Sequence, residues 1–366
     1  MNFSFTHKKT IDRYDDIFES CLEHGACKKV IEVMKENSVK TDIKPSEMEN
    51  VCMRGIDVNE LTERYRPKMD ITPHKCIDAI YGAIYGDITG SACEFREITE
   101  KQAEAYVKSP TAFGVMTDDS IMTMATTTVK GPIKLNNSLN YKKLLQYESL
   151  TGKTVDEYAD AYRTYGRKYA HAGYGPRFKQ WVHSDMKAYG SNGNGSAMRI
   201  SPVGATGLPY EEMIQHAIAS SACSHDHIEG IRGACVTATA IWLAAGGVRK
   251  DDIVKYMQDM YSLPGENLFN SFTANEAMSI HHHQIQCQFS VPAASIAVDM
   301  SSSYEETIKN ALMLGLDRDT NACIAGGIAG AIYGVSDKVK QVVEGALMAN
   351  GLEMKFLKRS YICVQY

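Results

Sequence analysis

The sequence predicts an all-α protein, on three observations. From residue 75 onward, apolar runs at 77–86, 217–222 and 233–245 carry Gly, Ala and Cys at three- and four-residue spacing, a pattern that lets helix backbones approach closely. Period-two alternation with β-branched residues is nearly absent, and 286–290 is the single short candidate for a strand. The pentapeptide Gly-Ala-Ile-Tyr-Gly stands at 82–86 and again at 330–334, too short for a repeat architecture and accounted for by similar helix packing at the two ends of one domain.

Taken in order, residues 1–72 read as an added helical element. They hold many charges of mixed sign, few glycines, and a helical stripe of Ile11, Tyr14, Phe18, Cys21 and Leu22. Pro67 and then Thr72-Pro73 punctuate its end, which places a boundary between an extension, 1–72, and a main domain, 73–366. The expectation for the extension is a structural cover packed on the main body. Within the main domain, 86–94 is a glycine-interrupted helix end at which the backbone is expected to bend just before Glu94.

Composition excludes several classes of function. With 44% apolar and 23% charged residues the chain is neither disordered nor a membrane bundle, and a net charge of -5 offers no basic field for nucleic acid. No uninterrupted apolar run approaches the roughly 18 residues of a spanning helix, so no membrane is expected. The first residues turn charged at once and lack the apolar core of a secretory signal, which points to the cytoplasm. Ten cysteines form no Cys-x-x-Cys pair and read as buried thiols rather than disulfides or zinc ligands.

Two acidic clusters carry the chemistry: Thr117-Asp118-Asp119-Ser120 and Asp317-Arg318-Asp319-Thr320-Asn321, each just before an apolar helical run. One such cluster alone is adequately explained as a helix cap. Two of the same make-up, far apart in sequence and flanked by glycine, repel one another if they meet, unless a cation sits between them. Carboxylate and hydroxyl oxygens suit a hard divalent ion. Glu94 is a third acid in the same company. The stretch Asn192-Gly193-Asn194-Gly195-Ser196-Ala197-Met198-Arg199 is a glycine-rich loop whose amides could meet a phosphate or ribose; Met198 stands where a dinucleotide fingerprint needs glycine. His281-His282-His283 reads as a polar loop or helix face, and His225 in Ser224-His225-Asp226-His227 is retained as a ligand contact.

Taken together and in order, these segments resemble the ADP-ribosylglycohydrolase family, which shares a glycine-rich first helix ending in Glu, a T-D-D-[ST] element, a G-N-G-x-A-M-R loop and a late G-x-D-x-D-T element. The resemblance runs from about 76 to about 350 and includes Ser224–Ala234 and Phe289–Ala294. It implies an orthogonal all-helical bundle with a two-ion Mg2+ site, Mn2+ being an alternative, on the floor of a cleft. One ion would be held by Thr117, Asp118, Asp119 and Asp319, and the other by Asp317, Asp319 and Thr320. Glu94 would be the catalytic acid or base beside the bridging Asp319, Asn194, Gly195, Ser196, Ala197 and Met198 would cradle phosphates and ribose, and His225 would lie near the ligand.

The activity so implied is hydrolysis of the bond between ADP-ribose and a modified protein side chain, with arginine the favoured acceptor. The last motif departs from the family in Leu316 and Arg318, and Arg318 is expected either to ion-pair outward or to reach a diphosphate. A rival reading gives the extension the task of docking onto an ADP-ribosyltransferase toxin, as an immunity protein. A ligand-depleted structural relic is the least favoured reading, because every metal ligand implied by the resemblance is in place.

Overall fold

A computed structural model of the protein describes residues 71–129, 153–261 and 285–352. The described residues form α1 (Pro73–Ser91), α2 (Glu100–Lys108), α3 (Asp118–Thr126), α4 (Lys153–Lys168), α5 (Pro176–Val182), α6 (Gly195–Met198) and α7 (Ser201–Gly204). They continue as α8 (Tyr210–Ala222), α9 (Ile228–Ala245), α10 (Lys250–Tyr261), α11 (Cys287–Asp299), α12 (Tyr304–Met313), α13 (Arg318–Tyr333) and α14 (Asp337–Ala349). Among them no strand forms, and one isolated bridge joins Gly193 to Gln286. The expected helical class is the observed one.

The centre of the bundle is the antiparallel pair α1 and α13. Both are buried on nearly every side, so neither has the narrow apolar stripe of a surface helix. Their contact is built from small residues spaced four apart. A side chain at Gly82 would overlap the carbonyl of Gly326, one at Gly86 the carbonyl of Ala322, and one at Gly90 the backbone of Arg318 and Asp319. Gly330 meets the backbone of Asp78 in the same way. The backbones therefore touch along the whole interface, and the register puts the C-terminal end of α1 against the first turn of α13. Around this pair lie α3, α7, α9, α11, α12 and α14. Tyr304 Oη donates to the Gly82 carbonyl at 2.8 Å, and Lys340 Nζ on α14 pairs with buried Asp78 at 2.8 Å.

Several expectations change. Within 86–94 the glycines do not interrupt the helix, since Gly86 and Gly90 face α13 and α1 runs unbroken to Ser91; the chain then turns just before Glu94, as expected. The two Gly-Ala-Ile-Tyr-Gly segments do pack alike, each through a glycine against the backbone of the partner helix in the one α1/α13 pair, Gly82 on Gly326 and Gly330 on Asp78. The strand candidate 286–290 is helical from Cys287. Its buried residues Cys287, Val291, Ala294 and Val298 recur at helical spacing, a period that a five-residue window is too short to reveal. By length and composition α9 could cross a membrane, contrary to the expectation of no such segment, but it is a mostly buried helix within the bundle. The stripe of the extension and the triplet His281-His282-His283 lie outside the described residues.

Candidate metal and ligand site

The α1/α13 register carries two acids into contact range, Asp87 from α1 and Asp319 from the first turn of α13. Asp87 is fully buried and is met by the start of α3. Thr117 donates its amide to Asp87 Oδ2 at 2.9 Å and its hydroxyl to Oδ1 at 2.6 Å. The Ser120 amide donates to Oδ2 at 3.1 Å, and the Ser120 hydroxyl donates to the same oxygen. Thr117 in turn caps α3, accepting from the Asp119 amide at 3.3 Å. Asp87 thus clamps the N-terminus of α3 so that Asp119 faces α13, where Thr320 Oγ1 donates to Asp119 Oδ2 at 3.4 Å.

The second half of the site forms where the chain enters α13. Asp317 is its N-cap, and Asp317 Oδ2 accepts from Asn194 Nδ2 at 2.6 Å. Asn194 also donates to Ser290 Oγ on α11 at 2.8 Å. Glu94 arrives from the turn after α1, which is tied to the same place by the Phe95 amide donating to the Leu316 carbonyl at 2.7 Å. Phe95 takes φ 51, a left-handed conformation that a bulky aromatic residue adopts only under constraint. Two groups of carboxylates result, Asp87 with Asp119 and Asp319, and Glu94 with Asp317 and Asp319, each with ligand oxygens within 4.8 Å of one another. Asp319 belongs to both, as a bridging ligand would.

Such crowding is electrostatically costly without a counter-ion. Burial, reinforced by the charge of Asp87, pushes Asp118 up to about 8. Burial and the neighbouring acids push Asp119 and Asp319 well above the usual carboxylate range, and burial raises Asp87 and Asp317. Glu94, half-buried, is pushed up to about 6, by burial first and then by Asp317 and Asp87. No lysine or arginine is ion-paired to these acids among the described residues, and Asp119 Oδ1 is buried without a hydrogen-bond partner. An all-oxygen set with an orphaned buried carboxylate oxygen fits a hard divalent cation.

A pH dependence follows. These acids hold protons more tightly folded than unfolded, where an aspartate has a pKa of roughly 3.9. In chelator, stability is greatest below about pH 4 on this account and falls as pH rises toward 8. A divalent cation replaces those protons, so the rise in melting temperature caused by Mg2+ is expected to be large at pH 8 and small at pH 5. Thermal denaturation with Mg2+ or chelator at both pH values checks it, and an equal rise at both would contradict the electrostatic account.

Of the other predicted residues, Thr117 and Thr320 lie at the two helix starts as expected, and Asp118 keeps part of its surface open. Ser196, Ala197 and Met198 turn their side chains inward, Ser196 donating to the Gly230 carbonyl at 2.8 Å, so they face a ligand only through their backbone. Gly195 stays partly open, and His225, nearly buried, packs under it. Arg318 meets neither expectation. It is buried and folds back to donate to the Gly315 carbonyl, because the turn before α13 leaves that acceptor beside it. Asn321 Nδ2 braces the same turn through the Leu314 carbonyl at 2.7 Å.

Two functional positions were missed from sequence. Asp87 was passed over as part of an apolar helix; the available signal was an unpaired acid in an otherwise apolar run. Gly173 lies in the loop before α5 at φ +107, and a Cβ there would stand 3.3 Å from Asp118 Oδ1. Only glycine combines that backbone with that approach.

Comparison with known proteins gives the family and the fold. The family model described as ADP-ribosylglycohydrolase matches residues 69–348, and the chain belongs to that family. It is similar to an ADP-ribosylhydrolase ARH3 of Danio rerio, 25% identical over 316 residues that cover 70% of this chain and 82% of the relative. An ADP-ribosylhydrolase ARH3 of Bos taurus is 25% identical over 330 residues, 72% of this chain and 87% of the relative. A solved structure titled "ADP-ribosylglycohydrolase-related protein complex" shares the fold with a TM-score of 0.55 at 17% identity, over 78% of this chain and 98% of that one.

Proposed function

We propose that the protein hydrolyses the glycosidic bond between ADP-ribose and a modified protein side chain, with arginine the expected acceptor, and that it requires two Mg2+ ions. The observation that carries this is Asp319, shared between two groups of carboxylates whose oxygens lie within 4.8 Å of one another. Bound divalent cations would supply Lewis acidity to ribose hydroxyls and to a water. Asp119, Asp319 and Asp317 would hold them, with Asp118, Thr117 and Thr320 adjoining.

The chain's own residues do the rest. Asp87 keeps α3 in place and Asn194 keeps Asp317 oriented, so the oxygens are set before a ligand arrives. Rupture of a glycosidic bond develops positive charge on the ribose, which a ring of carboxylates stabilises. Glu94 stands at the edge of that ring with part of its surface open. With its pKa near 6 it is ionised at neutral pH, which fits a general base that takes a proton from the attacking water. Glu94→Gln is expected to cut turnover by about 10²- to 10⁴-fold while Mg2+ uptake persists. Near-normal turnover in that variant would remove Glu94 from the mechanism.

Release of ADP-ribose from arginine- and serine-modified proteins, with Mg2+ or with chelator, tests the reading as a whole. Release that needs Mg2+ and is faster from arginine is the expected result. No release from either substrate would overturn the reading. A cytoplasmic setting is in keeping with the six described cysteines, all of them free thiols.

A further inference from the structure

We infer that Arg199 and Ser224 form a buried relay that holds His225 in its Nε2–H tautomer and aims that N–H at the glycine-rich loop, as a neutral donor to an acceptor oxygen of ADP-ribose. The ligand half of this rests on the hydrolase reading above. The tautomer half does not.

Arg199 is wholly buried, and among the described residues no carboxylate pairs with it. Its guanidinium lies 3.9 Å from the centre of the Tyr162 ring, and Nη2 donates to the Ser220 carbonyl at 2.7 Å and to Ser224 Oγ at 2.9 Å. A guanidinium only donates, so Ser224 Oγ must accept. The one hydroxyl proton of Ser224 is then left for His225 Nδ1, 2.8 Å away. If Nδ1 carried the proton instead, Ser224 would accept twice, and among the described residues no acceptor stands ready for its own hydroxyl proton, since the Cys223 thiol 3.9 Å away itself donates to Ser224 Oγ. A fully buried hydroxyl without a good acceptor is costly. The arrangement therefore leaves Nδ1 bare and puts the ring proton on Nε2.

The other side of the ring is kept clear. A Cβ at Gly195 would stand 3.0 Å from Nε2, and one at Gly193 3.5 Å from it. These two glycines flank Asn194, whose side chain grips Asp317, so Nε2 faces the loop that borders the acidic centre. Phe178 and Tyr189 hold the imidazole from two sides, with ring centroids 6.0 and 5.9 Å away. Burial, with the Arg199 charge adding to it, also holds the imidazole pKa well below its ordinary value, which keeps the donor neutral. In this scheme Arg199 and Ser224 are positioning residues, and His225 makes the contact.

The test uses the full chain with 15N-labelled histidine, His225→Ala assigning the signal by its loss. Long-range 15N–1H correlation at neutral pH is expected to show Nε2 protonated and Nδ1 bare in the wild type. Ser224→Ala is expected to mix the tautomers and to weaken ADP-ribose binding by about 3- to 10-fold in calorimetry, one neutral hydrogen bond, with Mg2+ uptake unchanged. Ser224→Thr, which keeps a hydroxyl, restores both. A wild type with the proton on Nδ1 would overturn the relay while leaving the hydrolase reading standing. So would a Ser224→Ala protein that binds more weakly with its tautomer unchanged. A wild type with the stated tautomer but no affinity for ADP-ribose would overturn the ligand half together with the hydrolase reading.

Discussion

Asp319→Asn is expected to fold, to lose its stabilisation by Mg2+, and to lose more than about 100-fold in hydrolysis, since even residues that merely orient metal ligands cost 10- to 100-fold. The side chain is nearly isosteric, so packing at the first turn of α13 is kept. What disappears is the charge that both carboxylate groups share. In chelator at pH 8 this variant is expected to melt no lower than the wild type, and higher if the repulsion among buried acids is as large as their raised pKa values require. Function here opposes apo stability, and removing the central acid relieves that conflict. Melting curves and hydrolysis assays on one preparation check both halves. A variant that retained Mg2+-dependent turnover would show that the bridging role is misassigned.

Gly86→Ala is expected to be among the most damaging single-methyl changes at the described residues. The new Cβ would meet the carbonyl of Ala322 and the amide of Cys323, which are backbone and have no rotamer by which to escape. Either α1 and α13 separate or the change is not accommodated, and overpacking of this kind costs about 1–3 kcal/mol and occasionally more. The adjoining residue is Asp87. Separating the helices therefore shifts Asp87 from Asp319, so Mg2+ affinity falls along with melting temperature. Gly345→Ala on α14, where a Cβ has open space around it, is the matched control and is expected to leave Mg2+ affinity unchanged and the melting temperature no lower, since alanine favours a helix interior over glycine. Equal behaviour of the two variants would contradict the backbone-contact account of the core.

Much of this was readable from sequence for a physical reason. Helix periodicity and small residues at four-residue spacing are local signals, and they correctly give an all-helical bundle. The acids at 117–119 and 317–320 were visible because helix starts have their own chemistry, and the structure brings the two starts together. Asp87 escaped because its role depends on a partner 30 residues away, the amide of Thr117. The same distance-dependence misled the reading of Gly86 and Gly90, whose partners lie on α13, far off in sequence. Arg318 was assigned to solvent or ligand on its charge alone; its true acceptor is a carbonyl three residues back, exposed only once the turn is formed.

The central claim is that two remote acidic helix starts, with Asp87 and Glu94, form one divalent-cation centre. Anomalous scattering from crystals soaked in Mn2+ tests it most directly. The account predicts two peaks beside Asp319, one toward Asp119 and one toward Asp317, with Asp319 touching both. Soaked crystals with no peak at these carboxylates, or with Mn2+ bound only elsewhere, would contradict it.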